Sequence, residues 1–151
     1  MKILGIRNSP TKIRFCILEG DKSSFAFKNN NAENKIELPK SLKTEFENYQ
    51  WTKSEFKRLF DKYGPFDHMA IKQNENVQTR YCSVKPVMFL DCIVTLVSIE
   101  NNTSFSSHIY ASLGTKSKDV VSFVEGKGLK SKINWDSQMA DAVIAAIKNM
   151  N

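Results

Sequence analysis

The order of predicted elements indicates an α/β protein with a mixed sheet of five strands flanked by helices. Three short strands are predicted in residues 2–28, and two later strands alternate with helices. Strands joined by tight turns pair antiparallel, whereas strands separated by a helix can pair in parallel. We therefore expect three antiparallel strands, followed by alternating helices and strands that place helices on the faces of the sheet.

The amino-terminal residues 2–21 predict a β-hairpin. Apolar residues stand on both sides of Asn8-Ser9-Pro10, a cluster that favours a tight turn. Residues 23–28 alternate Phe25 with Phe27 and predict a third strand. The segment KIELP (35–39) predicts either a short extra strand or an edge segment, because proline is tolerated only at such positions.

A helix is predicted to begin at Thr52, because Thr52 and Glu55 have the spacing of a capping box. Trp51 and Phe56 fit the hydrophobic staple that accompanies such a start. Apolar side chains then recur at helical spacing until Gly64-Pro65 ends the helix.

The second half of the chain predicts the alternating elements. They are a buried strand at 66–72, a helix from about Ser83 with Pro86 in its first turn, a strand at 104–113, a polar connection at 116–132 containing the short helix DVVSFVE, and a last helix capped by Asp136.

The helix at 84–97 is apolar around much of its circumference. One side carries Val87, Leu90, Val94 and Val97, and another carries Met88, Cys92 and Thr95. Such a helix is either central in the fold or half of an interface between copies. A homodimer through residues 84–97 is therefore one interpretation.

Length and composition predict one domain over residues 1–151, because 151 residues can bury a substantial core. The start of the chain lacks the pattern of a signal peptide, and no apolar run is long enough to span a bilayer. Three cysteines without CxxC spacing predict buried, reduced thiols. We therefore expect a cytoplasmic protein that is not in a membrane and has no cofactor.

The net charge of +6 and the pI near 9.2 favour a polyanionic partner, and nucleic acid is the usual candidate. The alternative is a lysine- and asparagine-rich composition without functional meaning. Candidate nucleic-acid contacts are Lys53, Lys57, Arg58, Lys127 and Lys130, which equally fit solvated helix and loop surfaces.

Three short segments carry a family resemblance. ILGIRNS (3–9), DHMAIKQN (67–74) and DSQMADAVIAAI (136–147) resemble the first strand, fourth strand and final helix of RuvC-type Holliday-junction resolvases. The order of elements is also that of the ribonuclease H-like superfamily, to which these resolvases belong. The resemblance implies a RuvC-like fold and a metal-dependent nuclease site.

That site is altered at three of its four acidic positions. Where the family pattern has acids, this chain has Arg7, Lys72 and Gln138, and only Asp141 remains. Two-metal cleavage needs anionic oxygen ligands around the ions, so two cations there would repel Mg²⁺. The resemblance therefore implies a former active-site cleft that has lost its metal chemistry.

Two interpretations of the cations stay open. Arg7 and Lys72 could pair with Asp141 as a salt bridge in place of the metals, or they could bind a phosphate or another anion. Asp141 could also be no more than an acid placed near a helix amino terminus, where the helix dipole favours negative charge. His68 and His108 fall in predicted strands, and each is more typical of a satisfied histidine than of a catalyst.

Three functions from different classes follow. The first is a catalytically inactive RuvC-like protein that binds a protein partner or branched or single-stranded nucleic acid. The second is a metal-dependent nuclease that uses a displaced carboxylate set, Asp67, Asp91, Asp136 and Asp141. The third is a structural or oligomerisation module. The sequence leans away from an enzyme without deciding the question.

Overall fold

The computed structural model describes residues 1–75 and 81–150 and contains a mixed sheet with helices on both faces. In chain order the elements are β1 (Lys2–Asn8), β2 (Lys12–Gly20), β3 (Phe25–Phe27), β4 (Lys35–Glu37), α1 (Glu45–Tyr63), β5 (His68–Lys72), α2 (Tyr81–Glu100), β6 (Ser104–His108), α3 (Tyr110–Leu113), α4 (Val120–Glu125) and α5 (Ser137–Ile147). The side chains of residues 81–84 lie outside the described part.

Within the described residues the sheet has six strands, one more than the five predicted. The order is β3-β2-β1-β5-β6, with β1 antiparallel to β2 and parallel to β5, and with β6 parallel to β5. The additional strand, β4, pairs with residues 12–14 of β2, while β3 pairs with residues 18–20 of the same strand. Both short strands therefore share one edge of the long strand β2.

The alternation of side chains along the strands divides the interior into two cores. Ile3 on β1, Cys16 on β2 and Ala70 on β5 pack against α5 and α4 on one face. Leu4 and Met69 belong to the cluster on the other face, which includes residues of α1 and α2. Because successive strand residues point to opposite faces, Arg7 lies on the α5 face with Ile3.

Helix α5 lies very close to the first strand, and Gly5 makes this possible. A Cβ atom at Gly5 would lie 2.2 Å from the carbonyl oxygen of Ala142 and 2.8 Å from Sγ of Cys16. Both distances are far inside van der Waals contact, so only glycine fits without separating the helix from the sheet. This close approach brings the first turns of α5 beside the end of β1.

The predicted start of the first helix was wrong. Helix α1 begins at Glu45, and its capping box joins Thr44 to Glu47 instead of Thr52 to Glu55. Thr52 is fully buried inside the helix, which also places Trp51 within it and rules out the predicted staple. The chain holds two segments with capping-box spacing, and the apolar face of the helix extends back beyond Thr52, so the earlier one starts the helix.

The other boundaries differ less. Helix α2 already includes Ser83, the predicted cap, whose side chain lies outside the described part, and Pro86 lies beyond its first turn. The last strand ends at His108, and residues 110–113 form α3 instead of its continuation. The Asp136 cap is confirmed, because its side chain accepts the N–H of Met139.

Burial along α2 follows the predicted pattern. Val87, Leu90, Val94 and Val97 are buried, whereas Met88 and Cys92 are exposed. The prediction of buried thiols therefore holds for Cys16 and fails for Cys92, while Cys82 lies outside the described side chains. Among the helices of residues 1–75 and 81–150, none is long and apolar enough to cross a membrane.

Candidate functional site

Two arginines stand side by side at the end of the first hairpin, facing α5. The register of β1 and β2 places Arg7 directly opposite Arg14. Like charges at facing positions destabilise a strand pair unless other groups compensate them. The compensation comes from α5, which presents Asp136 at its amino-terminal cap and Asp141 in its second turn.

Arg7 forms an ion pair with Asp141. Its Nε lies 3.2 Å from Oδ2 of Asp141, and the two side chains are 14% and 4% exposed. The Nε hydrogen is not aligned on that oxygen, so the contact is electrostatic and not a geometrically good hydrogen bond. Arg7 also donates from Nη1 to the carbonyl oxygen of Lys72 at 3.0 Å, which ties β1 to the end of β5.

Lys72 does not pair with Asp141, contrary to one of the sequence-based alternatives. Its side chain is 0% exposed, and its Nζ lies 2.8 Å from Oε2 of Glu75 and 2.6 Å from the carbonyl oxygen of Gln73. The ammonium also sits 3.7 Å from the centroid of the Tyr110 ring, a cation–π distance. Sequence reasoning missed both Glu75 and Tyr110, because their partners are set by the loop geometry beyond β5 and β6.

Tyr110 joins the two ion pairs. Its hydroxyl donates to Oδ1 of Asp141 at 2.8 Å, and its backbone N–H donates to Oε1 of Glu75 at 3.0 Å. Its hydroxyl also interacts with Ser117, and burial raises the pKa of Tyr110 to about 12. The Arg7 cluster, as we call Arg7, Lys72, Glu75, Tyr110 and Asp141, is therefore a connected network.

The charges of the Arg7 cluster are perturbed by burial. Burial raises the pKa of the Asp141 carboxyl, while the Tyr110 hydrogen bond and the Arg7 charge oppose the rise. Burial lowers the pKa of the Lys72 ammonium, against the pull of Glu75. For both groups, the cost of removing water from the charged form exceeds the stabilisation that the partner charge provides. The charged groups therefore depend on each other to stay ionised.

Arg14 makes a second, parallel ion pair that the sequence did not reveal. It donates from Nε to Oδ2 of Asp136 at 3.2 Å and makes a further short contact from Nη2 to the same oxygen. Nζ of Lys12 lies 3.6 Å from that oxygen. Although burial opposes it, Arg14 and the N–H of Met139 hold the pKa of Asp136 below its usual range. Asp136 therefore caps α5 and neutralises Arg14 at once.

Gln138, the fourth position of the predicted cleft, lies one turn before Asp141 on α5. Its Oε1 is buried and has no hydrogen-bond partner in the described part of the chain, as is also true of Nη1 of Arg14. Gln138 is therefore outside the ion-pair network of the Arg7 cluster.

The Arg7 cluster does not fit a pair of divalent metals. Asp141, its one carboxylate at a family position, already contacts Arg7 and Tyr110 through its two oxygens. Within residues 1–75 and 81–150, no three histidine, cysteine or acidic side chains group closely enough to hold a metal ion. Magnesium requires hard anionic ligands that are free to coordinate it, and two cations stand where such ligands would be needed.

The displaced carboxylate set is not assembled either. Asp67 lies before the start of β5 and accepts the N–H of Lys2, at the opposite end of that strand from Lys72. Asp91 lies on α2 at the other face of the sheet, where it accepts Nδ2 of Asn8 at 2.7 Å. Burial raises the pKa of Asp91 to about 6.

The two histidines belong to one polar network along the outer strand. Oγ of Ser106 lies 2.7 Å from Nε2 of His68 and 2.9 Å from Nε2 of His108, and Asn149 also contacts His108. Burial lowers the pKa of both histidines. Both are hydrogen-bonded side chains, as expected from the sequence.

The predicted nucleic-acid contacts do not form one surface. Lys53 pairs with Glu100, Arg58 with Glu33 and Glu55, and Lys130 with Glu125. Lys57 lines a groove between α1 and α2, whereas Lys127 lies over the ring of Phe123 beside α4, on the other face of the sheet. Three of the five cations are thus already neutralised by carboxylates.

Comparison with known proteins identifies the architecture. No family model and no curated protein matches the sequence. The fold superposes on Thermus thermophilus RuvC bound to a Holliday junction substrate with a TM-score of 0.76 at 12% identity, covering 98% of this chain and 92% of that one. The fold is RuvC-like. Another structure of Thermus thermophilus RuvC gives 0.75 with the same identity and coverage, and the yeast mitochondrial Holliday junction resolvase Ydc2 gives 0.61 at 12% identity over 98% of this chain and 77% of that one.

Proposed function

We propose that this protein binds nucleic acid through its RuvC-like fold and does not perform metal-dependent cleavage at the Arg7 cluster. The observation that carries the proposal is the buried ion pair between Arg7 and Asp141, with Lys72 buried beside it. These side chains lie where the family resemblance implies metal ligands. The cations supply the positive charge that metals would otherwise bring to that position.

The electrostatics of the site favour this view. Asp141 is nearly fully buried, and a carboxylate without a cation there would be strongly destabilising. Arg7 offsets part of that cost with a covalently attached charge, which takes the place of a bound ion. A metal would have to displace Arg7 and approach Lys72, which Coulomb repulsion opposes at these short distances.

We place the nucleic-acid contacts at the loop beside the Arg7 cluster. Ser117 interacts with the hydroxyl of Tyr110, so its neighbours Lys116 and Lys118 lie close to the cluster, and both are exposed. Exposed lysines at a cleft contribute to phosphate binding by releasing counterions from the nucleic acid.

A gel-shift titration on branched and single-stranded DNA across salt concentrations tests the binding. We expect both DNAs to bind at low salt and to weaken steeply as salt rises. The double variant Lys116→Glu/Lys118→Glu should reduce the salt slope by about two, because each lysine neutralises one phosphate. Lys40→Glu is the matched control, since Lys40 is exposed in the connection between β4 and α1. Absence of binding at low salt would contradict the proposal.

We also propose that a second copy of the chain covers the exposed apolar side of α2. Four large apolar side chains of α2 are 39–66% exposed, and Phe46 of α1 beside them is 66% exposed; the four are Met88, Phe89, Leu96 and Ile99. Contiguous apolar surface of this kind marks an interaction site. The opposite side of α2 is buried against the sheet through Leu90, Val94 and Val97, so the exposed side chains face away from the core.

Light scattering tests the homodimer. Wild type should measure as a dimer and Leu96→Glu as a monomer, because a charge at the centre of an apolar interface is unpaired and desolvated. Lys57→Glu, at an exposed position of the neighbouring helix α1, checks that a change of charge on this face of the protein is not sufficient to dissociate the dimer. A monomeric wild type would contradict the proposal.

A further inference from the structure

A groove lies at the carboxyl-terminal end of α5, between β3 and α4. Its volume is about 630 Å³, within the range of pockets that hold a small ligand or a few peptide side chains. Its floor is apolar and is formed mainly by Phe25, Phe123, Ile147 and the edges of deeper aliphatic side chains. The side chain of Phe123 is 38% exposed.

Three lysines surround this apolar floor. They are Lys22 from the turn before β3, Lys127 after α4 and Lys148 at the end of α5. The neighbouring Lys28 and Lys130 pair with Glu19 and Glu125. In contrast, the three groove lysines have no carboxylate at ion-pair distance among the described residues. Within the described residues, the groove is therefore apolar at its base and positively charged at its rim, without a carboxylate that pairs with the rim lysines.

We propose that this groove binds an acidic protein segment that carries apolar anchor residues. Its carboxylates would lie between the three rim lysines, where opposite charge speeds encounter and fixes the orientation of the segment. Its apolar side chains would cover Phe25, Phe123 and Ile147, and burial of such anchors supplies most of the affinity of small interfaces.

The floor favours a protein segment over a nucleic acid. Single-stranded nucleic acids bind by stacking their bases on exposed aromatic faces. Of the two aromatic rings here, Phe123 already carries the Lys127 ammonium 5.1 Å from its centroid. Phe25 is partly buried against the core, and the other apolar side chains of the floor are aliphatic. Branched aliphatic surface accommodates Leu, Ile or Phe side chains and offers bases no flat platform.

This site is separate from the Arg7 cluster. The ion pairs of the cluster lie beside the amino-terminal half of α5, whereas the groove is lined by Ile144, Ile147 and Lys148 at its other end. No residue that lines the groove belongs to the Arg7 cluster. Peptide binding here therefore does not depend on the proposed nucleic-acid binding.

Fluorescence anisotropy of the full chain with a labelled peptide tests the site. The probe is rich in Asp and Glu and carries Phe and Leu; one control peptide has Lys in place of the acids, and another has Ser in place of the apolar residues. We expect the probe to bind and both control peptides to bind at least about tenfold more weakly, which corresponds to about 1.4 kcal/mol. Binding should also weaken as salt rises, since the rim charges are exposed.

Two variants locate the binding. Lys127→Glu/Lys148→Glu should weaken the affinity for the probe by about tenfold or more. Lys40→Glu, at an exposed position away from the groove, should change that affinity by less than about twofold. Circular dichroism confirms that each variant is folded. Three outcomes would each overturn the inference. The first is equal binding of the probe by both variants, and the second is absence of probe binding at low salt. The third is tighter binding of a labelled single-stranded oligonucleotide than of the probe, if Lys127→Glu/Lys148→Glu abolishes it.

Discussion

Removal of the Arg7 charge provides the sharpest test of the buried ion pair. Arg7→Met leaves the Asp141 carboxylate buried with Tyr110 as its remaining partner. Removing one partner of a buried ion pair costs about 3–5 kcal/mol, because the other charge is left uncompensated. With side-chain exposures of 14% and 4%, the pair is buried enough for this range to apply without a large correction for solvent screening.

The cost of Arg7→Met should depend on pH. The folded pKa of Asp141 lies above its unfolded value, so the stability that this residue contributes is present below the unfolded pKa and lost as pH rises through the folded pKa. Without Arg7 the folded pKa rises further, and the loss extends to higher pH. We therefore expect a smaller difference in unfolding free energy from wild type near pH 5 than near pH 8.

A double-mutant cycle completes this test. Urea unfolding, followed by tryptophan fluorescence, gives the unfolding free energies of Arg7→Met, Asp141→Asn and the double variant. The double variant should recover at least about 2 kcal/mol of the Arg7→Met loss, because it leaves no unpaired charge. Lys12→Met is the control, since its pair with Asp136 is about one third exposed and should contribute at most about 1 kcal/mol. A pH-independent loss below about 0.5 kcal/mol for Arg7→Met would show that Asp141 does not depend on the Arg7 charge.

Three further predictions concern other parts of the fold. Asp91→Asn keeps a hydrogen bond from Asn8 and removes a carboxyl whose folded pKa of about 6 exceeds its unfolded value. It should therefore stabilise the protein near pH 7 by up to about 3 kcal/mol and have little effect near pH 4. An equal gain in unfolding free energy at both pH values would contradict the raised pKa of Asp91. Gly5→Ala should lower the unfolding free energy by about 3 kcal/mol or more in urea titrations, because its Cβ would meet the backbone of Ala142; an unchanged midpoint would show that α5 can move away freely. Thr44→Ala should lower the free energy of unfolding by about 1 kcal/mol, because α1 loses its cap. An unchanged thermal unfolding midpoint would indicate that the helix begins at a later residue.

Local patterns in the sequence were sufficient for most elements of the fold. The hairpin, the cap of α5 and the buried side of α2 each depend on residues close together in the chain, where turn, cap and helical spacing are informative. The start of α1 was wrong because two segments have the same capping spacing, and tertiary burial of Thr52 decides between them. The sequence did not decide whether β4 is a strand, because an edge strand of three residues has almost no periodicity.

The candidate site was only partly predictable. The resemblance to RuvC-type resolvases brought Arg7 and Asp141 to attention, and the structure contains their ion pair. The contact between Arg14 and Asp136 joins residues 122 positions apart, so no local pattern contains it. One signal was available in the hairpin, because its register sets Arg14 opposite Arg7 and two facing cations require acidic partners.

The cluster also explains why Lys72 does not have the partner that one of the two interpretations gave it. That interpretation followed the analogy to a metal site in which all ligands converge on one point. A buried ammonium instead takes the nearest groups that can accept its hydrogens, here Glu75 and the carbonyl oxygen of Gln73, which follow it directly in the chain.

A cleavage assay on branched DNA with Mg²⁺ or Mn²⁺ decides whether the Arg7 cluster has replaced a metal site. We expect the protein to shift the DNA on a gel and to leave it uncut with either metal, and we expect Asp141→Asn not to alter this result. Metal-dependent cleavage that disappears in Asp141→Asn would contradict the proposed function, because Asp141 would then hold a metal instead of Arg7.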